Sequence, residues 1–366
     1  MKILIVSGAF YPHNSPRANR TTELAKELSR KGHDITVVTP LEDGDFSMFF
    51  DMNIKVIEVP KKWKLLRNYK SKILNFPVRI INRLLILLLE YPNIELYFRI
   101  PGILQDLSEK FDAIISIAVP YPVHFGVNKF LGKNPNFAKS WIADCGDPYT
   151  LCQYDTFRKP FYFRYFEKAF CRRCNYISIP IEEAKNSYYP EFHSKITIIP
   201  QGFEVDPSTK LYEYKPNSPI KFVYAGAFNP KFRDPRPVLD YLAKINIDFR
   251  FYVFTKVKTL VEPYKDILGE KLIIKDYIER TDLIRFMSSC DFLFNFDNGN
   301  IEQSPSKLID YAFAGRPILT INSRNIDYQK LNQFLNFDFS HRHPSIDVEK
   351  YNITNVANQF LQLLKS

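Results

Sequence analysis

Two acidic residues stand eight positions apart in the segment IEQSPSKLIDYAFAGRPIL, with a Ser-Pro pair and a lysine between them. On one continuous helix, Glu302 and Asp310 would point about 80° apart, which is a poor arrangement for holding one ligand. Ser304-Pro305, however, is typical of a helix cap followed by the first helical residue. We therefore predict a helix over 306–314 that ends at the following glycine, with Glu302 in the preceding loop and Asp310 on the helix.

The start of this helix has the chemistry of an anion site. Its first backbone N–H groups lack helical partners and carry a partial positive charge, to which Lys307 in the first turn adds. A predicted strand, 291–296, and a polar loop precede it, so the helix begins at the carboxyl edge of a sheet, where phosphates bind in open α/β folds. We assign Ser304, Ser306 and Lys307 to a phosphate site. An ordinary cap with a solvated Asp310 is the alternative.

The elements that must position this segment alternate along the chain. KILIVSGAF and DITVVTP predict buried strands, and TTELAKELSRKGH between them predicts a helix capped by Thr21 or Thr22. Further strands are predicted over 54–59, 113–118, 140–143, 176–179 and 195–199. Strands and helices joined by short links imply right-handed parallel units of a doubly wound sheet.

A polar stretch with three prolines, 201–219, interrupts this pattern and is interpreted as a linker. Five apolar runs follow it, each predicted to be a strand: IKFVYAGAF, DFRFYVFT, KLIIKDYI, DFLFNF and RPILTI. We therefore predict two α/β domains with a cleft between them, 1–203 and 219–345, and a last helix within 346–366.

The composition is that of a folded globular protein, with 45% apolar and 25% charged residues among 366. No run approaches the ~20 apolar residues of a membrane-spanning helix, and no small-residue cleavage site follows the N-terminal run. We therefore expect a cytoplasmic protein. Cys171-x-x-Cys174 has no second pair, so no zinc site is predicted.

The net charge of +10 comes largely from one segment. Eight Lys or Arg and a single Glu stand between 61 and 90. The segment 61–92 also holds Trp63 and many Leu and Ile, a mixture typical of helices that lie in a membrane interface. We predict contact with an anionic membrane surface; a helical subdomain with a solvated basic face is the alternative. No nucleic-acid motif accompanies the charge, so no nucleic-acid partner is expected.

The C-terminal segment resembles the signature of family-4-like glycosyltransferases of the GT-B fold (glycosyl transferases group 1). Glu302, seven further residues, Asp310 and then Ala314-Gly315-Arg316-Pro317 match it. The resemblance implies that Asp310 contacts the ribose of a sugar nucleotide, that Glu302 acts beside the donor sugar, and that the helix end faces the diphosphate. Asp310 is one methylene shorter than the family's usual Glu, about 1.5 Å of reach.

Two further segments resemble the same family. In YAGAFNPKFRDPRP, Gly226 allows a ligand to approach closely, and the resemblance implies that Lys231 and Arg233 neutralise the diphosphate. The arginine that often follows this glycine in the family is an alanine here. In KDYIER, the resemblance implies that the backbone of Tyr277 and Ile278 holds the nucleobase.

The loop GAFYPHNSPRANR resembles the family's loop after the first strand, although Ala18-Asn19 replace its paired glycines. Gly8 is retained at the strand end. Arg17 and Arg20 are assigned to a phosphate or an acidic acceptor; solvated loop arginines are the alternative.

Two loops after later strands resemble a subgroup of the family. AVPYPVH places His124 at a helix start, and WIADCGDPY matches an aspartate-rich loop through Asp144 and Asp147. The resemblance implies that Asp147 orders the acceptor hydroxyl and that Asp144 lies on the acceptor side. His124 is assigned to the donor sugar or its developing charge; a structural histidine is the alternative.

The resemblance covers nearly the whole chain. It implies α/β architecture of the GT-B type, in which two Rossmann-like doubly wound domains face across a cleft and the C-terminal helix returns to the first domain. It also implies a retaining glycosyltransferase that moves a sugar from a UDP- or GDP-linked donor to a lipid-linked or polysaccharide acceptor. The setting would be envelope glycan synthesis (capsule, O-antigen or exopolysaccharide) at the inner face of the cytoplasmic membrane.

No metal and no cofactor are expected for this reaction, since Arg233, Lys307 and the helix end supply the positive charge that the leaving diphosphate needs. Two alternatives stay open. One is a sugar-nucleotide 2-epimerase of the same fold, which needs no acceptor. The other is a non-catalytic sugar-nucleotide-binding protein, suggested by the departures from the family's pattern.

Overall fold

The computed structural model describes residues 1–13, 15–40, 45–67, 72–152, 158–204, 211–231, 233–297 and 306–365, with the backbone alone at 72–74, 297 and 306. The chain divides into two compact units. One is Met1–Glu204 together with Tyr351–Ser366, and the other is Val205–Lys350. The division falls inside the stretch interpreted as a linker, and the chain after Lys350 belongs to the first unit.

A parallel sheet forms the centre of the first unit. Its seven strands within the described residues are β1 Lys2–Ser7, β2 Asp34–Thr39, β3 Ile54–Glu58, β4 Phe111–Ala118, β5 Ala138–Cys145, β6 Tyr176–Ile179 and β7 Ile196–Ile198. They lie in the order β3-β2-β1-β4-β5-β6-β7. Most inner strands are apolar throughout because helices cover both faces of such a sheet. The order reverses between β1 and β4, which is where loops diverge and ligands bind in open α/β sheets.

The helices of the first unit are α1 Pro16–Arg30, α2 Ser47–Phe50, α3 Lys72–Leu89, α4 Glu95–Asp106, α5 Pro122–Leu131 and α6 Phe163–Arg173, with the C-terminal helix considered below. Helix α1 starts earlier than predicted. Ser15 is its cap, with Oγ accepting from the backbone N–H of Ala18 at 3.2 Å. The prediction of a cap at Thr21 or Thr22 was wrong, because both are buried within the helix that Ser15-Pro16 begins.

The second unit repeats the architecture on a smaller scale. Its described strands are β8 Ile220–Ala225, β9 Phe249–Phe254, β10 Leu272–Lys275, β11 Phe292–Asp297 and β12 Ile318–Asn322. Its helices are α7 Arg236–Leu242, α8 Lys265–Leu268, α9 Arg280–Ser288, α10 Ser306–Ala314 and α11 Tyr328–Leu335. The parallel order is β10-β9-β8-β11-β12, which reverses between β8 and β11. The bounds predicted for α10 are confirmed, and it ends at Gly315 with φ of +67°.

The last helix, α12 Ile353–Lys365, contributes to the core of the first unit. Val356 and Phe360 are fully buried there beside strand residues of the sheet. Thr354 Oγ1 donates to Glu27 Oε1 of α1 at 2.9 Å. The chain therefore returns to the unit in which it began.

Helix α3 is different from the other long helices because most of it is exposed. Of the side chains described on it, Val78 is the one that is buried, and Phe76 is 66% exposed. No helix within the described ranges is both long enough and apolar enough to cross a bilayer.

Candidate functional site

A cavity of about 260 Å³ lies in the second unit at the carboxyl ends of β8 and β9. Its walls also include the residues after β10 and side chains of α9 and α10. It adjoins the point where the strand order reverses, where ligands bind in sheets of this type. The structure brings together here five of the residues assigned to the donor: Gly226, Tyr277, Ile278, Lys307 and Asp310.

Lys307 places a buried cation in this cavity. It lies in the first turn of α10, and its Nζ has no hydrogen-bond partner within the described part of the chain. The nitrogen lies 4.7 Å from the centre of the Tyr224 ring. Burial and, to a smaller extent, the charge of Arg233 lower the pKa of Lys307 to about 7. An anion in the cavity would oppose both effects, and the start of α10 favours an anion there.

Asp310 lies one turn further along α10 and carries a carboxylate into the same cavity. Arg280, the first residue of α9, donates to its Oδ1 from Nε at 2.8 Å, and Arg280 Nη2 lies 2.7 Å from the same oxygen. Burial raises the pKa of Asp310, and the charge and hydrogen bond of Arg280 act in the opposite direction. Sequence reasoning missed Arg280, although it is the last residue of the KDYIER segment assigned to the nucleobase.

The loop after β8 carries the other residues assigned to the diphosphate. Gly226 has φ of +149°, a backbone conformation that favours glycine. Backbone hydrogen bonds between Asn229 and Arg233 close the following turn, and Arg233 is near enough to Lys307 to affect its pKa. Lys231 lies in that turn, and its assignment to the diphosphate stays a prediction, since Lys231 is exposed and lies outside the residues that line the cavity.

Three assigned residues near the start of α10 cannot be placed in the same detail. Glu302 and Ser304 lie outside the described residues, and Ser306 is described by its backbone as the first residue of α10. Their roles beside the donor sugar and the diphosphate stay predictions.

The carboxyl ends of β1, β4 and β5 bring a second group of assigned residues together in the first unit. Gly8 lies against Pro120, whose Cδ would be 2.3 Å from a Cβ at the glycine. Arg17, in the first turn of α1, lies over Gly146, where a Cβ would be 1.7 Å from the guanidinium carbon. Arg17 Nη2 lies 3.8 Å from Asp147 Oδ2, and the two side chains are 19% and 43% exposed. Arg17 thus needs a glycine at 146 to lie beside Asp147.

Two aromatic residues support the loop that carries Asp147. Tyr121 donates from Oη to the backbone oxygen of Asp147 at 2.6 Å. Its ring stacks on that of Tyr149 at a centroid distance of 4.3 Å. Sequence reasoning missed Tyr121, Tyr149 and Gly146, whose importance depends on contacts between separate loops.

The two units together resemble solved glycosyltransferase structures. The whole chain aligns with 99% of WaaB, described as a lipopolysaccharide outer core galactosyltransferase in apo form, at 11% identity and a TM-score of 0.59. It aligns equally completely with 99% of Anabaena HepE (Alr3699) in complex with UDP and glucose, at 10% identity and a TM-score of 0.60. A glycosyltransferase from Rickettsia africae aligns over 96% of its length at 11% identity and a TM-score of 0.57. The chain has a GT-B fold.

No protein-family model and no curated protein matches this GT-B chain in sequence. At identities near 10% the structural likeness establishes the fold, and the chemistry has to come from the residues at the site.

Arg20 and Asp144 do not face the ends of the strands in the first GT-B unit. They form a buried ion pair with distances of 3.0 Å from Nε to Oδ2 and 2.8 Å from Nη2 to Oδ1, and each side chain is 3% exposed. Arg20 also donates to the backbone oxygens of Ile199 and Pro200. Burial opposes ionisation of Asp144, but Arg20 and Ser178 outweigh it and lower its pKa. The assignment of Arg20 and Asp144 to an acceptor or phosphate is corrected, because both are occupied in joining α1, β5 and the chain after β7.

His124 is likewise part of the core of this unit. Its ring is fully buried, shares a hydrogen bond with Ser116 Oγ at 2.7 Å, and lies 4.8 Å from the Phe170 ring. Burial lowers the pKa of His124 to about 3, so the ring is neutral at physiological pH. The assignment of His124 to the donor sugar is corrected, since the packing of α5 against α6 encloses it.

Proposed function

We propose that this chain is a glycosyltransferase that uses a nucleoside diphosphate sugar as its donor. The observation that carries the proposal is Lys307, a buried cation without a hydrogen-bond partner in the described structure, at the start of α10 in the cavity beside β8. A diphosphate bound there would gain the ammonium group, the helix dipole and the nearby charge of Arg233. Fixed positive charge of this kind stabilises a departing nucleoside diphosphate.

The residues that line the cavity support a definite order for the rest of the nucleotide. Asp310 lies one turn beyond Lys307 and offers a carboxylate to the ribose hydroxyls. Tyr277 and Ile278 line the wall that follows β10, where a base can lie against apolar side chains and reach the backbone. Because HepE was solved with UDP and glucose, we favour a UDP-linked donor, with a GDP-linked donor as the alternative.

On the acceptor side, we propose that Asp147 orders the attacking hydroxyl and that Arg17 binds an anionic group of the acceptor. Both side chains are partly exposed. Tyr121 holds the loop that carries Asp147 in place by donating to the backbone oxygen of Asp147. We take the acceptor to be a lipid-linked or polysaccharide glycan of the cell envelope, in line with the description of WaaB. We further propose that transfer retains the anomeric configuration and uses no metal ion.

We also propose that helix α3 lies on an anionic membrane surface at the cytoplasmic face. Four apolar side chains recur at every fourth position and are 45–66% exposed: Phe76, Ile80, Leu84 and Leu88. Exposed Arg79 and Arg83 border this stripe, and Trp63 and Phe98, whose ring centroids are 5.8 Å apart, are further exposed aromatic side chains of the same unit. An apolar stripe with arginines at its margin suits the interface between lipid head groups and acyl chains.

Binding of sugar nucleotides tests the first proposal. Thermal shift with UDP, GDP and CDP sugars should identify a ligand that raises the melting temperature, and Lys307→Ala and Asp310→Ala should reduce the shift. Release of nucleoside diphosphate in the presence of an acceptor would support transfer and exclude a non-catalytic binding protein. Conversion of the donor into its 2-epimer would support the alternative enzyme. If no sugar nucleotide stabilises the protein, the proposal is wrong.

A further inference from the structure

Arg280 is the one described residue whose side chain bonds to the carboxylate of Asp310. Both contacts, at 2.8 and 2.7 Å, are made to Oδ1. The cavity is lined by Asp310 but not by Arg280, so the carboxylate stands between the arginine and the space proposed for the nucleotide. A carboxylate oxygen accepts more than one hydrogen bond, and Oδ2 carries none from the described residues.

Stabilisation of its own helix does not explain why an arginine stands at position 280. It is the first residue of α9, where a cation meets the positive end of the helix dipole and is disfavoured. Its guanidinium lies 5.6 Å from the centre of the Phe313 ring. Asp310 and Phe313 are three residues apart on one face of α10, so the arginine is held by both and has little freedom to turn away.

We propose that Arg280 is a positioning residue, which keeps half-buried Asp310 ionised and leaves its second oxygen to accept the ribose hydroxyls. The inference rests on the proposed function in one respect, the identity of the ligand. The arginine acts through Asp310 and does not touch the nucleotide.

The charged and titratable groups around Asp310 determine how the loss of Arg280 would change the pKa of Asp310. Groups that line the same cavity are Lys307 and Tyr311 from α10, Lys256 from the chain after β9 and Tyr277 from the chain after β10; Arg280 comes from α9. Burial already raises the pKa of Asp310, and Arg280 is the group that opposes this rise. Without the arginine, Asp310 takes up a proton at a higher pH and then offers the ribose a weaker acceptor.

The experiment compares UDP affinity by calorimetry between pH 5.5 and 8.5 for the wild type, Arg280→Met, Arg280→Lys and Arg285→Met. Arg285 is the matched control, because it is an exposed arginine of the same helix whose guanidinium lies over Tyr212. We expect the ratio of the Kd of Arg280→Met to that of the wild type to be largest at low pH. It should fall by up to about tenfold per pH unit as the pH rises. Arg280→Lys should restore most of the acid affinity, and Arg285→Met should match the wild type.

A second measurement separates this role from the identity of the ligand. Carboxyl ¹³C shifts of labelled aspartate, with Asp310 assigned through Asp310→Asn, report its ionisation without any nucleotide. A higher pKa of Asp310 in Arg280→Met supports the proposal. An unchanged pKa, or a Kd ratio that is the same at every pH, would overturn it. If the wild type binds no UDP, GDP or CDP while the pKa rises as expected, the proposed function fails and the effect of Arg280 on the carboxylate stands.

Discussion

Both units carry charged side chains near the reversal of their strand order, but they satisfy these charges differently. In the first unit, Arg20 and Asp144 are buried against each other within 3.0 Å. In the second, Lys307 is half-buried, and its Nζ is buried without a hydrogen-bond partner among the described residues. A buried pair is complete without a ligand, whereas a buried lone cation lowers the stability of the ligand-free protein. The unsatisfied charge, rather than the number of charges, is therefore what supports the proposed donor site in the second unit.

Breaking the pair in the first unit should have the largest effect. Arg20→Met leaves Asp144 buried without its cation, and loss of one member of a buried pair costs about 3–5 kcal/mol of unfolding free energy. Urea unfolding followed by circular dichroism measures this loss. UDP binding to the folded variant should be unchanged.

The matched controls are the double variant and a neighbouring arginine. Arg20→Met with Asp144→Leu should recover much of the stability, because no charge is left alone. Arg17→Met should cost less than about 1 kcal/mol, since the Arg17–Asp147 contact is partly exposed and 3.8 Å long. A stable Arg20→Met protein that has lost UDP binding would contradict the structural role of the pair.

Neutralising the cation of the second unit should have the converse result. Lys307→Met should weaken UDP binding by about 1.5–3 kcal/mol, as expected for a lost hydrogen bond to a charged group. The unfolding free energy of the ligand-free variant should not fall, because the substitution removes a buried charge that lacks a partner. Calorimetry and urea unfolding measure the two quantities on one preparation. Lys231→Met is the control, and equal UDP affinity in both variants would remove the basis of the donor site.

How far the sequence predicts the site depends on whether the signal is local. Ser304-Pro305 predicted the start of α10 and thereby the place of Lys307 and Asp310. The same pair at Ser15-Pro16 was overlooked, so Arg17 and Arg20 were assigned to a loop although both lie on α1. One local rule, applied throughout, would have given both helix starts.

The spacing of residues in the sequence could not predict which of the assigned side chains are buried. Asp144 and Asp147 are three residues apart, but Asp144 is inside β5 and meets Arg20, while Asp147 follows the strand and stays half-exposed. His124 was correctly placed at a helix start, and its enclosure depends on Phe170, which is distant in sequence. Such differences arise from packing between helices and strands that are distant in the chain, which one amino-acid sequence does not reveal.

The exposed stripe of α3 offers a comparison on the surface of the first unit. Arg79→Glu with Arg83→Glu should weaken binding to vesicles with 30% phosphatidylserine by about 2 kcal/mol or more, since each basic residue near anionic lipid contributes ~1 kcal/mol. Lys110→Glu with Lys133→Glu, at exposed positions outside α3, is the charge-matched control. Leu84→Ser should reduce binding to neutral vesicles as well. Equal vesicle binding by all variants would show that α3 does not contact the membrane.

The pH dependence of stability should distinguish the two units by the pH range in which it appears, acidic for His124 and alkaline for Lys307. His124 has a pKa of about 3 in the folded protein and an ordinary value of 6.5, so the unfolded chain binds the extra proton between these values and stability falls as the pH drops from 6.5. Lys307 has a pKa of about 7 against 10.5, so between pH 7 and 10.5 the folded protein is relieved of a charge that the unfolded chain keeps, and stability rises with pH. Tyrosines and cysteines also titrate in the alkaline range, so the useful quantity is the difference between wild type and variant. We expect Lys307→Met to remove the rise between pH 7 and 9, and His124→Gln to reduce the fall between pH 6.5 and 4, both measured by urea unfolding. If Lys307→Met keeps the rise in unfolding free energy between pH 7 and 9, the ammonium of Lys307 is not buried as described. The two units would then no longer differ in whether their buried charges have partners.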